Sequence, residues 1–244
     1  MAAYRLEIAY DGTRFAGWAV QPGLRTVQGE LEDALAKVLG ARTTLTVAGR
    51  TDAGVHALAQ VAGFVTAEPV PPELQRALNA LTGRDLAIDG LSRVADGFDA
   101  RRDARSRRYR YRVEAGAVPS PFERRRALHW PYRLDLGLAE RSAEALRGTH
   151  DFTAFTPTDS EHRQFQRTVL DASWTRESER IVAFEIEADS FMRSMVRVVV
   201  GTVLEVATGR REPADFDRLL GGATRAEAGV TAPPQGLYLV SVTY

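Results

Sequence analysis

The strongest constraint on the fold of this chain is the order of apolar periodicities in its first hundred residues. Tyr4, Leu6, Ile8 and Tyr10 alternate with Arg5, Glu7 and Ala9, which is the period of a half-buried strand. A helix, two strands, a second helix and a further strand are predicted next, at residues 27–38, 43–47, 58–65, 71–81 and 86–94. This β-α-β-β-α-β order is typical of a ferredoxin-like unit.

Local signals set the ends of the two helices. Thr26 is a suitable N-cap for the first helix, and Gly40 is suited to end it. Pro71 and Pro72 are expected to open the second helix, which Gly83 stops. Helix boundaries near these residues are therefore predicted.

The rest of the chain repeats the order of elements without repeating the sequence. Strands are predicted at residues 107–113, 168–175, 181–188 and 236–244, and helices at 136–146, 191–207 and 215–220. We therefore predict an α+β protein with two ferredoxin-like halves, residues 1–104 and 105–244. A cleft between two such units would be a natural place for a ligand.

Between two predicted strands lies the segment 49–57, which reads GRTDAGVHA. It places Asp52 in a short polar loop, two residues after Arg50. Loops on rigid scaffolds often carry reactive side chains, and Gly49 and Gly54 allow positive φ or the close approach of a ligand. A plain hairpin turn has a similar composition, so the residue types alone leave both interpretations open.

The composition excludes several other chemistries. The chain has no cysteine, which rules out disulfides, thiolate nucleophiles and Cys-based metal sites. The sole lysine, Lys37, is followed by Val38, so there is no phosphate-binding P-loop. The histidines, including His162, lack the spacing of zinc ligands. We expect no metal or cofactor. The N-terminal segment does not resemble a signal peptide and the apolar runs are short, so we expect a cytoplasmic protein without a membrane partner.

Five segments resemble the TruA family of tRNA pseudouridine synthases. GRTDAGVHA is similar to the active-site signature of that family, and YDGTRFAGW, RTVQGELEDAL, HDFTAF and GLYLVSVTY are similar to its other landmarks, in the expected order. The resemblance implies isomerisation of uridine to pseudouridine at tRNA positions 38, 39 and 40, in the anticodon stem-loop. It also implies two ferredoxin-like halves whose antiparallel sheets join across a central active-site cleft, and a homodimer that binds tRNA.

The same resemblance implies roles for four residues. Asp52 matches the catalytic carboxylate, which acts as a nucleophile or as a base on a flipped-out uridine. Arg50 would help to displace or replace the flipped nucleotide. Tyr109, the first tyrosine of SRRYRYRV, matches the residue that stacks on the base. Arg197, the last residue of ADSFMRSMVR, would pair with Asp52 and keep it ionised.

Each assignment has a structural alternative. Tyr109 and Tyr111 could both be core aromatics of one strand face, Arg50 could form a structural salt bridge, and Arg193 is expected to be a solvated helix residue. A non-catalytic RNA-binding module would have a similar order of elements, but the RNP-type string is absent. A glycosidase usually needs a second facing acid, and no such acid stands out.

Positive charge is concentrated in one segment although the net charge is zero. Residues 101–112 contain seven arginines and one aspartate. Arginine binds phosphate through its planar fork, so the segment is expected to contribute phosphate contacts to tRNA. Strand alternation places Arg108, Arg110 and Arg112 on the face opposite Tyr109, which directs some of these side chains elsewhere.

Overall fold

A computed structural model of the chain describes residues 1–67, 69–160 and 163–244. His162 lies outside the described residues. The backbone forms two units, residues 1–107 with 238–244, and residues 108–237. Both combine helices with mostly antiparallel strands, which confirms the predicted α+β class. No helix within the described ranges is both long enough and apolar enough to cross a membrane.

The first unit contains the predicted β-α-β-β-α-β order. Its elements are β1 (Ala2–Tyr10), α1 (Val27–Leu39), β2 (Thr46–Val47), β3 (His56–Thr66), α2 (Leu74–Leu81) and β4 (Leu86–Val94). Strand β1 lies between β3 and β4 and is antiparallel to both, while β2 pairs with β3. Strand β2 is shorter than predicted, so most of the chain between α1 and β3 is loop.

Capping explains where the helices of this unit begin and end. The Thr26 side chain accepts a hydrogen bond from the backbone N–H of Gly29, and Gly40 ends α1 with a φ of 73°. Helix α2 begins at Leu74, later than predicted. Its N–H bonds to the carbonyl of Pro71 at 3.0 Å, so the prolines form a turn that precedes the helix.

Among the described residues, the second unit contains five strands and three α-helices. They are β5 (Ser106–Ala115), β6 (Leu128–Trp130), α3 (Leu136–Leu146), β7 (Gly148–Asp151), β8 (Gln166–Arg176), β9 (Ile181–Ala188), α4 (Met195–Ala207) and α5 (Pro213–Leu219). The strand order is β5-β9-β8-β7, and β6 pairs with β5. The short strands β6 and β7 were not predicted, because three or four residues carry too little periodicity.

The last strand, β10 (Leu237–Thr243), belongs with the first unit rather than with the segment that precedes it. Tyr238 and Leu239 pair in parallel with His56 and Ala57 of β3. Sequence periodicity correctly predicts a strand here but cannot show its partner, because pairing depends on residues far away in the chain. The division at residues 104 and 105 remains a prediction about functional domains.

Candidate active site

Asp52 lies in the loop between β2 and β3. The loop turns tightly at this point, since the N–H of Val55 donates to the carbonyl of Asp52 at 3.2 Å. Gly54 has a φ of 80°, as the predicted turn requires, whereas Gly49 does not have a positive φ. Asp52 is half-buried and Arg50 is exposed. The loop therefore makes a carboxylate and a guanidinium, two residues apart, accessible to a ligand.

Buried polar side chains hold the backbone of this loop. The Tyr10 hydroxyl lies 2.8 Å from Oγ1 of Thr51. Gln60 donates from Nε2 to the Gly49 carbonyl at 2.8 Å and to the Tyr10 hydroxyl at 3.3 Å. All of these partners lie within the first unit. The loop is thus supported from β1 and β3, the two strands beneath it.

Arg107 adds a third support at the start of the loop. Its Nε and Nη2 donate to the carbonyl of Ala48 at 3.0 and 2.9 Å, and Nη2 also donates to the carbonyl of Arg101 at 2.7 Å. The side chain is buried. Arg107 was predicted to lie in a segment of phosphate contacts, and its burial against carbonyl oxygens excludes that role in this structure.

His56 is a structural residue at the end of the loop. Its Nδ1 accepts a hydrogen bond from the N–H of Gly12 at 3.1 Å and also lies 3.2 Å from a carboxylate oxygen of Asp11. The contact with Asp11 is an ion pair only when the imidazole is protonated. The ring also stacks on Tyr238, with centroids 4.6 Å apart.

Tyr109 lies on β5 in the second unit and is 7% exposed. Its ring meets Phe191 edge to face, with centroids 4.9 Å apart. Tyr111, two residues further, is fully buried, and its hydroxyl donates to the Pro233 carbonyl at 2.7 Å. Burial raises the pKa of Tyr111, and the nearby charge of Arg197 partly opposes this rise in pKa. Tyr111 is therefore a core residue, as predicted.

Arg197 lies in the first turn of α4 and is half-buried. Its Nε donates to the carbonyl of Ala232 at 2.7 Å, and its own carbonyl accepts from the N–H of Ala232 at 3.0 Å. The segment that contains Ala232 lies close to the helix, because a Cβ added to Gly201 would be 1.8 Å from the carbonyl oxygen of Val230. Contacts with a neighbouring backbone segment thus fix the Arg197 side chain.

Helix α4 begins later than the apolar pattern from Phe191 predicts. Ser194 has a φ of 58°, in the left-handed region, and the helix starts at Met195. Arg193 precedes this break and is exposed, where it pairs with Asp159. The structure is consistent with the solvated position expected for Arg193, although not with a helical one.

The three arginines of β5 that follow Arg107 are paired with carboxylates of the same unit. Arg108 pairs with Asp171, Glu185 and Glu187, Arg110 with Glu177 and Glu185, and Arg112 with Glu123 and Glu177. These pairs leave little uncompensated charge for phosphate binding. The predicted phosphate contacts are therefore not supported for the strand arginines.

The four residues predicted for the site lie in two groups. Asp52 and Arg50 lie in one loop of the first unit. Tyr109 and Arg197 lie in the second unit, where Phe191, which packs against Tyr109, is six residues before Arg197. Sequence reasoning missed the residues beneath the loop, although one signal was present: Gln60 is a lone amide in the apolar strand β3. Within the described ranges, no group of three or more His, Cys, Asp or Glu residues could hold a metal ion.

Comparison with known proteins shows the class to which this chain belongs. The chain belongs to the tRNA pseudouridine synthase family, whose sequence profile matches residues 7–101 and 142–244. It is therefore an isomerase that acts on tRNA. The RNA-binding-module and glycosidase alternatives are wrong.

Three curated relatives show how far the similarity extends, and each is called tRNA pseudouridine synthase A. The protein of Acetivibrio thermocellus is 40% identical over 245 residues, which cover 100% of both chains. That of Latilactobacillus sakei is 41% identical, over 99% of this chain and 98% of the relative. That of Frankia casuarinae is 45% identical, over 98% and 88%.

Similarity to solved structures is much weaker. The crystal structure of a Cbf5-Nop10-Gar1 complex is 13% identical in sequence and covers 83% of this chain and 54% of the matched chain, with a TM-score of 0.34. At this level the likeness carries no structural argument.

Proposed function

We propose that this synthase converts uridine to pseudouridine at positions 38, 39 and 40 of the tRNA anticodon stem-loop, with Asp52 as the catalytic carboxylate. The observation that carries the proposal is the GRTDAGVHA loop, in which Asp52 is half-buried and hydrogen bonds from Tyr10 and Gln60 hold the nearby residues Thr51 and Gly49. A carboxylate so placed is restrained in position yet open to a substrate. Such positioning is a large part of catalytic power.

The chemistry requires a carboxylate near the sugar and the base. The bond from N1 of uracil to C1′ of ribose breaks, the ring turns, and C5 bonds to C1′. The proton on C5 leaves and N1 gains one, so the product is an isomer of the substrate and no electrons are transferred. The Asp52 carboxylate can attack C1′ as a nucleophile or remove the neighbouring C2′ proton as a base.

The other three residues act on the flipped nucleotide in this proposal. Flipping costs a few kcal/mol of stacking and pairing, and stacking on Tyr109 returns about 1–3 kcal/mol. Phe191 packs against the Tyr109 ring in an edge-to-face arrangement. Arg197 keeps Asp52 ionised, since a nearby cation favours the charged carboxylate. Arg50, exposed beside Asp52, fills the place that the uridine leaves.

The proposal also includes a cytoplasmic homodimer that binds tRNA across both subunits. It rests on the similarity of the chain to the family along its length. Sedimentation of the free protein and of its complex with a tRNA transcript measures both stoichiometries. A protein that binds and turns over tRNA as a monomer would contradict this part of the proposal.

Tritium release tests the role of Asp52. The substrates are unmodified tRNA transcripts, each with a uridine at only one of positions 38, 39 and 40, and with tritium on C5 of uracil. Wild-type protein is expected to release tritium from all three, and Asp52→Asn from none while it still binds tRNA. Asp33→Asn, which changes an exposed aspartate of α1, is the matched control and is expected to turn over normally.

Each result bears on a different part of the proposal. Release by Asp52→Asn at the wild-type rate would remove Asp52 from the chemistry. Tritium release only from transcripts whose uridines lie outside positions 38, 39 and 40 would contradict the proposed sites of modification. Deuterium at C2′ separates the two roles of the carboxylate, because only removal of that proton gives a primary isotope effect on a chemical step.

A further inference from the structure

We infer that Tyr10 and Gln60 are positioning residues for Asp52, which they affect through hydrogen bonds to Thr51 and Gly49 of the loop. The inference rests on the proposed function, since it assigns Asp52 the reaction. It goes further in naming the groups outside the signature loop on which the placement of the carboxylate depends.

The first observation is that both residues lie below the loop and away from solvent. Tyr10 is 5% exposed and Gln60 is 0% exposed. Tyr10 is the last residue of β1, and Gln60 lies within β3. Neither side chain can contact tRNA from such a position. Any effect of these residues on turnover must therefore pass through the loop.

The second observation is which residues of the loop they bind. The bonds reach Gly49, immediately before Arg50, and Thr51, immediately before Asp52. Trp18 donates from its backbone N–H to the carbonyl of Thr51 at 3.0 Å as well. The anchored residues thus alternate with the two charged residues whose side chains remain accessible. A shift of Asp52 along the loop would break a buried hydrogen bond.

The donors from Gln60 follow from the partners of its amide. The Gly49 carbonyl can only accept, so the nearby atom of Gln60 is the amide nitrogen. The same nitrogen lies 3.3 Å from the Tyr10 hydroxyl and donates to it. The Tyr10 hydroxyl and Oγ1 of Thr51 share a further hydrogen bond at 2.8 Å, in which either oxygen can donate. One hydrogen-bonded chain of side chains therefore runs from Gln60 through Tyr10 to Thr51.

Burial also keeps these side-chain hydrogen bonds intact at ordinary pH. Burial raises the pKa of Tyr10 to about 12, against smaller opposing effects of its bonds to Thr51 and Gln60. Throughout the pH range in which tRNA enzymes are assayed, Tyr10 therefore keeps its hydroxyl hydrogen. An unpaired polar group at this depth would be costly, so the loop has one preferred position.

Tyr10→Phe is the most direct test because it removes only the hydroxyl. A misplacement of about 1 Å can cost about 100-fold in rate. We expect kcat to fall roughly 10- to 100-fold on that basis, while KM and the Kd for tRNA stay within about twofold of wild type. Tyr4→Phe is the matched control. Tyr4 lies on the same strand, is 7% exposed, and binds the N–H of Val70 at 3.2 Å, away from the loop. Removal of the Tyr4 hydroxyl should lower the melting temperature about as much as Tyr10→Phe does, and should leave kcat unchanged.

A second pair of variants tests whether the hydrogen-bond chain is the cause. Thr51→Val removes the hydroxyl at nearly constant shape, and Thr51→Ser keeps it. We expect a much larger loss of kcat in Thr51→Val than in Thr51→Ser. The losses in Tyr10→Phe and Thr51→Val should not multiply in the double variant, because both break the same bond. Gln60→Leu removes the hydrogen bond to the half-buried Gly49 and leaves an apolar side chain beside the Tyr10 hydroxyl, so Tyr10→Phe carries the test if that variant does not fold.

The outcomes separate this inference from the proposed function. Equal kcat values for Tyr10→Phe and Tyr4→Phe would overturn the inference, and so would a rise in KM at constant kcat. If Asp52→Asn is inactive in the same tritium assay while Tyr10→Phe is fully active, the proposed function stands and the inference falls. If Asp52→Asn remains active, the proposed role of Asp52 fails, and the inference fails with it.

Discussion

The Asp52 loop and the first turn of α4 each present a charged side chain, but the two regions hold it in different ways. In the loop, Gln60 binds the carbonyl of Gly49 and Tyr10 binds the side chain of Thr51, the residue before Asp52. In the helix, the guanidinium of Arg197 itself donates to the Ala232 carbonyl. The loop thus fixes the backbone beneath its charge, whereas the helix fixes the charged group.

This difference has consequences for substitution. The position of a carboxylate on a fixed backbone can be disturbed from a distance, by residues that never contact the substrate. A guanidinium fixed by its own hydrogen bond is instead sensitive to small changes in its own geometry.

In both regions a glycine lies against a neighbouring backbone segment. Adding a side chain to either glycine should cause the largest losses of stability. A Cβ on Gly12 would be 1.9 Å from the carbonyl oxygen of Val55, and one on Gly201 would be 1.8 Å from that of Val230. Gly12→Ala and Gly201→Ala should each lower the free energy of unfolding by about 3 kcal/mol, the upper end of the usual cost of overpacking, because backbone must move. Urea titration measures the loss.

Gly90→Ala is the control for these two variants. A Cβ at this position would be 3.4 Å from the Glu7 side chain, which is an ordinary contact distance. We expect a change of less than about 0.5 kcal/mol in the free energy of unfolding. Wild-type stability of either Gly12→Ala or Gly201→Ala would show that the corresponding backbone contact is not needed.

Arg197→Lys tests the part of the comparison that concerns the helix. Lysine keeps the charge but cannot reproduce the planar fork of arginine, so it cannot both bind Ala232 and fill the role proposed for Arg197 toward Asp52. We expect kcat to fall about tenfold, which corresponds to about 1.4 kcal/mol. Arg193→Lys, at the exposed partner of Asp159, should turn over normally in the tritium assay. Full activity of Arg197→Lys would mean that charge alone is required at this position.

Alkaline pH should weaken the support of the loop more gradually. The folded pKa of Tyr10 is about 12, above the ordinary value of 10.0. The unfolded chain therefore loses this proton first, and the contribution of Tyr10 to stability, complete below about pH 10, is lost as pH rises to about 12. Between pH 9 and 11, urea titration should show about 1 kcal/mol less loss in Tyr10→Phe than in wild type. Identical losses would contradict the burial of this hydroxyl.

The smallest effects are expected from the arginines of β5. Arg108→Gln and Arg110→Gln should leave the salt dependence of tRNA binding unchanged, because their charges are already paired with carboxylates. Arg101→Gln should lower the slope of log Kd against log salt by about 0.7–0.9, as expected for one lost phosphate contact. Arg101 is exposed in the same arginine-rich segment. A lower salt-dependence slope for Arg108→Gln would mean that β5 does contact tRNA phosphates.

Much of the fold was predictable because its signals are local. Thr26 and Gly40 delimit α1 through their own backbone geometry and side-chain bonds. The start of α4 was missed because the apolar pattern from Phe191 continues through Ser194, and only the left-handed φ of Ser194 breaks the helix. Serine has no strong preference for that conformation, so nothing in the residue types marks the break.

The candidate site divides in the same way. The position of Asp52 in a loop after β2 follows from a contiguous string of nine residues. The supports of that loop do not, since Tyr10, Gln60 and Arg107 are brought to it from distant parts of the chain. Arg107 and Arg108 are neighbours in sequence, yet one is buried against Ala48 and the other pairs with Glu187. Charge alone predicts neither partner.

The pairing of β10 with β3 also sets the order of events during translation. Residues 108–237 must all leave the ribosome before Tyr238 can stack on His56 at the end of the Asp52 loop. Until then, the first unit lacks one of its strands, and His56 and Ala57 of β3 lack their partners Tyr238 and Leu239. A nascent chain therefore completes the second unit before the first, although translation generally favours folding from the N-terminus. The loop that carries Asp52 acquires its full surroundings only late in synthesis.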